Sequence, residues 1–144
     1  MIMRRNKMEK IAQDEFEKRV IDLLVRSSLY ELPSKRKDLL IILKTIASQF
    51  KDGSFTEKEI NEVIKDFISK IPRLKVDHVK IRRALIDEGF LKRTPSGSVY
   101  TIDKDYDAFK LFSEDISNLD CLNLIRNAQK EIEERKKKYT QEGK

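Results

Sequence analysis

Apolar side chains recur every three or four residues along most of this chain, and this spacing restricts the fold more than any other feature of the sequence. Such a repeat places the apolar residues on one face of an α-helix. It predicts helices over residues 8–29, 35–51, 56–69, 77–88 and 105–138. One stretch differs: residues 90–94 and 98–102 read as two short strands, joined by a turn that contains Pro95 and Gly97.

Local signals support several of these helix boundaries. Thr56 and Glu59 have the spacing of a capping box at the start of the third helix. Ser34 is the expected N-cap of the second helix, and Gly89 is expected to end the fourth. Gly53 is available for a left-handed turn after the second helix.

The order of elements is therefore helix, helix, helix, helix, hairpin, long helix. Three helices followed by a two-stranded hairpin is the winged helix-turn-helix arrangement. We predict a mainly α fold, with a winged helix-turn-helix core of three helices and a two-stranded β-hairpin wing, flanked by N- and C-terminal helices. The expected divisions are a basic arm and helix (1–29), the winged-helix domain (30–103) and a long C-terminal helix (104–144).

Composition narrows the partners and the compartment. The net charge is +6, which favours a polyanionic partner, although 25 acidic residues offset 31 basic ones. A single cysteine, Cys121, excludes an intramolecular disulfide. The basic N-terminus is followed by no apolar segment typical of a secretory signal, and no apolar run is long enough to cross a membrane. We expect a cytoplasmic protein without a membrane partner.

Several segments carry a family resemblance: "LPSKRKD" (32–38), "FTEKEIN" (55–61) and "DHVKIRRALIDEGFLKR" (77–93), followed by Gly97 and Tyr100. From Tyr30 to about Asp103 the chain resembles a bacterial domain family of unknown function that occurs alone or appended to ArsR-type winged-helix regulators. "IRRALIDEGFLKR" also looks like the recognition helix and first wing strand of GntR-type repressors. The resemblance implies a winged-helix fold and a regulatory role.

The helix over residues 77–88 is the candidate reading head. On a helical wheel Lys80 and Arg83 point away from the apolar side, so we expect them to contact phosphates or base edges. Arg82 and His78 lie within the apolar side. We expect Arg82 to bury its stem and to pair with an internal acceptor, and His78 to have a structural role.

Further cations lie in the wing and at the start of the second helix. Lys92 and Arg93 follow each other on the first wing strand, so their side chains point to opposite faces. Lys35, Arg36 and Lys37 occupy a helix N-terminus, where backbone N–H groups favour an anion. We assign both clusters to phosphate contact. The alternative is a charged edge strand and a solvated helix end.

No set of residues supports catalysis, and we expect no enzyme activity, no cofactor and no metal. The chain has one histidine, one cysteine and no glycine-rich phosphate loop. Asp103, Asp105, Asp107 and Glu114 have the spacing of a calcium loop. However, Ala108 stands where that loop requires glycine, and acidic residues at a helix start explain the pattern better.

Two functions remain open. The first is a homodimeric regulator that binds double-stranded DNA and dimerises through its terminal helices. The second is a protein-interaction module in which the winged helix is a scaffold and the long terminal helices bind a protein partner. Asp77, Asp87 and Glu88 border the face of Lys80 and Arg83 and would be repelled by phosphates, which favours the second. The terminal helices could also pack on each other within one chain.

Overall fold

A computed structural model describes residues 10–142, so the first nine residues of the predicted N-terminal basic arm and helix (1–29) lie outside the described part. The described residues form five α-helices, three strands, one π-helical turn and two 3₁₀ turns. The helices are α1 (Gln13–Ile21), continued by the π-helical turn (Asp22–Arg26), α2 (Arg36–Ala47), α3 (Glu57–Ser69), α4 (His78–Asp87) and α5 (Cys121–Glu142). The strands are β1 (Gly53–Phe55), β2 (Lys92–Arg93) and β3 (Tyr100–Ile102), and the 3₁₀ turns are Asp107–Leu111 and Glu114–Asn118.

Helix α2 lies at the centre of the molecule. Every residue from 40 to 47 is buried. Its sequence "LLIILKTIA" (39–47) is apolar apart from Lys44 and Thr45, as expected for a helix surrounded by other elements. The guanidinium of Arg19 on α1 donates to both carboxylate oxygens of Asp38, at 3.0 and 2.9 Å, and this fork fixes α1 against the first turn of α2.

The sheet has three strands, not the two that the sequence predicts. β3 is central and pairs antiparallel with both β1 and β2, in the order β1–β3–β2. Phe55 of β1 and Arg93 of β2 both lie opposite Tyr100 of β3. β1 is only three residues long and forms by pairing with β3, almost fifty residues away in sequence. No local repeat therefore predicts it.

The boundary signals are mostly confirmed. The Thr56 hydroxyl accepts from the backbone N–H of Glu59 at 3.2 Å, and the Glu59 carboxylate accepts from that of Thr56 at 2.8 Å. Gly89 ends α4 with φ +86°, a conformation that glycine adopts without steric cost. The prediction for Ser34 is wrong: Lys35 is the N-cap residue of α2, and no side chain caps that helix.

The predicted helix over residues 105–138 is also wrong in its first part. Residues 107–118 form the two 3₁₀ turns, and α5 begins only at Cys121. Short polar side chains here bond to nearby backbone: the Asp103 carboxylate accepts from the N–H of Asp105 at 2.8 Å, and that of Asp120 accepts from Asn123 at 3.1 Å. Such local bonds compete with a continuous helix.

The two terminal regions pack on each other within the chain. α5 contacts both α1 and the π-helical turn. Residues 111–113 pair with Ile11: its N–H donates to the carbonyl of Leu111 at 2.9 Å, and its carbonyl accepts from Ser113 at 2.9 Å. Along α5, Cys121, Ile125 and Ala128 are buried and Ile132 is partly buried. The apolar stripe expected for a partner is therefore largely covered by this chain's own helices.

Among the described residues, no helix is long and apolar enough to cross a membrane.

Candidate nucleic-acid interface

The outward face of α4 carries two cations without a protein partner. Ile81 and Leu85 are buried and hold α4 against the core, which leaves Lys80 and Arg83 exposed. Neither side chain forms an ion pair with another residue between 10 and 142. Both remain fully available to an anion in solvent. Asp87 is exposed on the same helix, next in sequence to its partly buried C-cap, Glu88.

Arg82 lies in a different environment from Arg83. Its side chain is 14% exposed, and its Nη1 donates to Oδ1 of Asn61 on α3 at 2.6 Å. Its Nη2 lies 3.8 Å from Oε1 of Glu57. Arg82 therefore joins α4 to α3. The ring of His78 is partly buried, and its Nδ1 lies 3.4 Å from Oδ1 of Asp77.

Tyr100 joins β3 to the first turn of α3. Its hydroxyl donates to Oε1 of Glu57 at 2.8 Å, and its ring is buried. Burial raises the pKa of the Tyr100 phenol, and the hydrogen bond to Glu57 and its negative charge raise it further. The charges of Arg82 and Arg93 act in the opposite direction. The phenol therefore stays protonated at neutral pH and remains a donor.

The two cations of β2 lie over aromatic rings on opposite sides of the sheet. Nζ of Lys92 is 4.2 Å from the centroid of the Tyr106 ring, and Cζ of Arg93 is 5.7 Å from that of Tyr100. The Arg93 guanidinium also covers Gly97, where an added Cβ would lie 2.5 Å from Nη2. Both cations are exposed and retain N–H donors, while the rings restrict their positions.

The three cations at the start of α2 are not equivalent. Nη1 of Arg36 lies 2.8 Å from Oε1 of Glu88, and Nζ of Lys37 lies 2.9 Å from Oε2 of Glu15. Lys35 forms no ion pair within the described residues. The Arg36–Glu88 pair also brings the start of α2 beside the end of α4. The contact is to the C-cap of α4 and not to Lys80 or Arg83.

Some residues of this surface were missed by the sequence analysis. Glu57, Asn61 and Tyr106 hold or cover the predicted cations, but they are close to them only through tertiary packing. The sequence did give a signal for Tyr100, because alternation along the strand "SVYTI" places its side chain on the face opposite to those of Val99 and Thr101. Residues 10–142 contain no cluster of three or more acidic, histidine or cysteine side chains able to hold a metal ion.

Comparison with known proteins gives one family match. The family described as "Uncharacterized protein conserved in bacteria (DUF2087)" matches residues 28–102, a little more than half of the chain. This match confirms the expected resemblance to a bacterial family over residues 30–103 and covers α2, the sheet, α3 and α4. No curated protein and no solved structure matches the chain.

Proposed function

The chain belongs to the bacterial DUF2087 family, and on that premise we propose that it is a DNA-binding transcriptional regulator with α4 and the β2–β3 wing as its reading head. The order of elements supports this. From α2 to β3 the chain runs helix, strand, helix, helix, strand, strand, with β3 central in the sheet. A winged helix has this order, and its third helix enters the major groove. Here that helix is α4.

The observation that carries the proposal is the pair of free cations on α4. Lys80 and Arg83 are exposed and lie three positions apart, so they occupy one side of the helix. Their donors are not used by other described residues. An arginine here can contact a guanine edge through two donors, and a lysine can neutralise a phosphate.

The surrounding cations would position the duplex. Lys35 is free at the start of α2, and Arg36 lies beside α4 through its pair with Glu88. On the wing, the rings of Tyr106 and Tyr100 hold Lys92 and Arg93 while leaving them exposed. Phosphate contacts of this kind set affinity and register without reading sequence.

A homodimer is part of the same proposal, because two reading heads read two half-sites. The apolar residues of α5 up to Ile132 pack within the chain. The partner would therefore meet the distal part of α5, residues 133–142. Tyr139 lies there and is 81% exposed. Binding to DNA would place the protein in the cytoplasm.

The test is fluorescence anisotropy of the full chain on random duplex DNA at low and at higher salt, with the oligomeric state measured by light scattering. We expect binding at low salt that weakens steeply as salt rises, because phosphate contacts release counterions. We expect the double variant Lys80→Glu/Arg83→Glu to bind at least about tenfold more weakly at low salt.

A matched control separates the reading head from net charge. Arg126 and Lys130 are exposed on α5, and Arg126→Glu/Lys130→Glu changes the net charge by the same amount. This control should retain most of the affinity. Equal losses in both double variants would mean non-specific attraction, and no binding at low salt would refute the proposal.

The second candidate function is a protein-interaction module. It is favoured by the acidic residues of α4, since Asp77 and Asp87 are exposed close to Lys80 and Arg83. Ion pairs with Glu88 and Glu15 also offset Arg36 and Lys37. This function predicts no affinity for DNA and a silent Lys80→Glu/Arg83→Glu variant. Truncation after Ile132 would then abolish partner binding.

A further inference from the structure

A cavity of about 610 Å³ lies on the side of α2 that carries Lys44 and Ser48. Its walls come from the C-terminal half of α2, the segment after β3, the two 3₁₀ turns and Lys10. The aromatic part of the wall is formed by Phe109 and Phe112. Its size lies within the range of about 300–1,000 Å³ that is usual for small-molecule sites.

Lys44 is the unusual residue of this cavity. It is the single charged residue in the apolar run "LLIILKTIA", and only 5% of its surface is exposed. Its ammonium donates no hydrogen bond and forms no ion pair within residues 10–142. Nζ keeps some contact with solvent, because no fully enclosed side-chain nitrogen of these residues lacks a partner. Nζ instead lies 5.6 and 6.0 Å from the ring centroids of Phe109 and Phe112. Lys44 therefore lines the cavity with N–H donors that have no acceptor among the described residues.

A lysine in this state is costly for the fold. The ammonium has lost most of its hydration, and two ring faces near 6 Å replace only part of it. Burial lowers the pKa of Lys44 below its ordinary value. The nearby Cys121 partly opposes this effect, and the charge of Lys104 adds to it. Methionine or leucine would fill the same space without this cost, so packing alone does not explain a lysine here.

The rest of the wall is positively charged and partly apolar. Lys10, Lys104 and Lys110 also line the cavity, against two carboxylates, Asp105 and Glu114. Lys104 is already engaged, because its Nζ donates to the carbonyl of Phe50 at 2.7 Å and lies 3.4 Å from Asp52. The unpaired positive charge is therefore that of Lys44 in the wall and of Lys10 and Lys110 around it.

We propose that this cavity binds a small organic carboxylate, with its carboxylate on Lys44 and its apolar body against Phe109 and Phe112. A carboxylate has the acceptors that the Lys44 ammonium lacks, and the charge-assisted bond forms where water is largely excluded. The aromatic wall favours an apolar body over a bare ion. The serine hydroxyls of the wall are engaged locally: Ser48 donates to the carbonyl of Thr45 at 2.6 Å and Ser117 to that of Glu114 at 2.6 Å.

This site is separate from the proposed nucleic-acid interface. Its residues lie on the C-terminal half of α2 and after β3, whereas the interface uses the N-terminus of α2, α4 and the wing. The inference therefore does not require DNA binding. The rings of Phe109 and Phe90 nevertheless form a T-shaped contact, with their centroids 5.1 Å apart. Phe90 follows the end of α4. A bound ligand would thus contact a residue that packs beside the reading head.

The experiment is isothermal titration of the full chain with phenylacetate, hexanoate, phenylacetamide and inorganic phosphate. The amide has the shape of phenylacetate without its charge. We expect the two carboxylates to bind, and the amide and the phosphate to bind at least about tenfold more weakly, since the amide lacks the charge-assisted hydrogen bond and the phosphate lacks the apolar body. Lys44→Met should weaken carboxylate binding by a similar factor. Lys65→Met, at an exposed position of α3, should leave it unchanged.

A second measurement does not depend on any variant. In protein labelled at the lysine ε-carbons, NMR titration should show the pKa of Lys44 rising toward its ordinary value when phenylacetate binds, because the carboxylate favours the charged form. Equal binding of phenylacetate and phenylacetamide would overturn the proposal, as would unchanged carboxylate binding in folded Lys44→Met. So would binding of inorganic phosphate alone, or no binding of any probe at millimolar concentration.

Discussion

The hydroxyl of Tyr100 donates a 2.8 Å hydrogen bond to the carboxylate of Glu57, 43 positions earlier in the chain. This bond ties β3 to the first turn of α3, and Arg82 reaches the same carboxylate from α4. The wing and the two helices of the proposed reading head are thus held together at one point. The geometry of any surface that they share depends on it.

We expect Tyr100→Phe to lower the free energy of unfolding by about 1–2 kcal/mol, because a buried ring loses its bond to a charged acceptor. The pKa of Tyr100 is raised in the folded state, so this stabilisation is complete below the ordinary tyrosine pKa and is lost as pH rises through the folded value. Urea unfolding from neutral to strongly alkaline pH measures both effects. Tyr100→Phe should lack the part of the alkaline loss of stability that is due to the Tyr100 phenol. A difference in free energy of unfolding between the two proteins that grows with pH would contradict this assignment.

Alanine substitutions of the two neighbouring arginines of α4 should have different effects on stability. Arg82→Ala removes a 2.6 Å bond to Asn61 and a largely buried stem, so it should destabilise the protein by about 1–2 kcal/mol. Arg83→Ala changes an exposed residue and should alter stability by less than about 0.5 kcal/mol. Thermal unfolding of both variants checks that Arg82→Ala is the less stable of the two. If the protein binds DNA as proposed, Arg83→Ala should weaken that binding while leaving stability intact.

Lys44→Met should stabilise the protein at neutral pH by about 1–3 kcal/mol, because an unpaired buried ammonium is replaced by an apolar side chain of similar length. The pKa of Lys44 is lowered in the folded state, so below that value both states hold the proton and the cost is constant. Between the folded-state pKa and the ordinary pKa of Lys44, only the unfolded state holds the proton. Stability of the natural protein therefore rises with pH in this window, and the advantage of the variant shrinks.

Denaturant unfolding at several pH values, compared as the difference between the two proteins, isolates this effect from Tyr100. Burial raises the pKa of the Cys121 thiol and the charge of Lys44 lowers it, so the thiol also contributes to the difference where it titrates. Lys65→Met is the control and should differ from the natural protein by less than about 0.5 kcal/mol at each pH. A destabilised Lys44→Met protein would show that the lysine has a structural acceptor.

Glu88→Gln should test whether Arg36 belongs to the proposed interface. The Arg36 side chain is 65% exposed, so the lost ion pair should change stability by less than about 1 kcal/mol. The variant frees Arg36 and removes a negative charge beside α4. We therefore expect tighter binding to duplex DNA at low salt and a steeper salt dependence by about one phosphate contact. Glu62→Gln, exposed on α3, is the control. Unchanged affinity would remove Arg36 from the interface.

Sequence by itself determined the features that depend on neighbouring residues. The apolar repeat gave five helical regions in the right order, and the spacing of Thr56 and Glu59 identified a capping box that forms as expected. Gly89 ends α4 because only glycine adopts its positive φ without steric cost. The faces of α4 also followed from the repeat, since helical geometry alone separates Arg82 from Arg83.

Tertiary structure decided what depends on distant residues. Phe109, Phe112 and Ile116 have helical spacing, yet Phe109 and Ile116 reach the core from two 3₁₀ turns and Phe112 from the link between them. Polar residues bond locally there, and residues 111–113 pair with Ile11. β1 exists only because β3 offers its edge. The charge of Lys44 predicts a place at the surface, but every residue of α2 from 40 to 47 is buried. Burial and pairing across the chain are properties of the packed molecule, and a local pattern does not contain them.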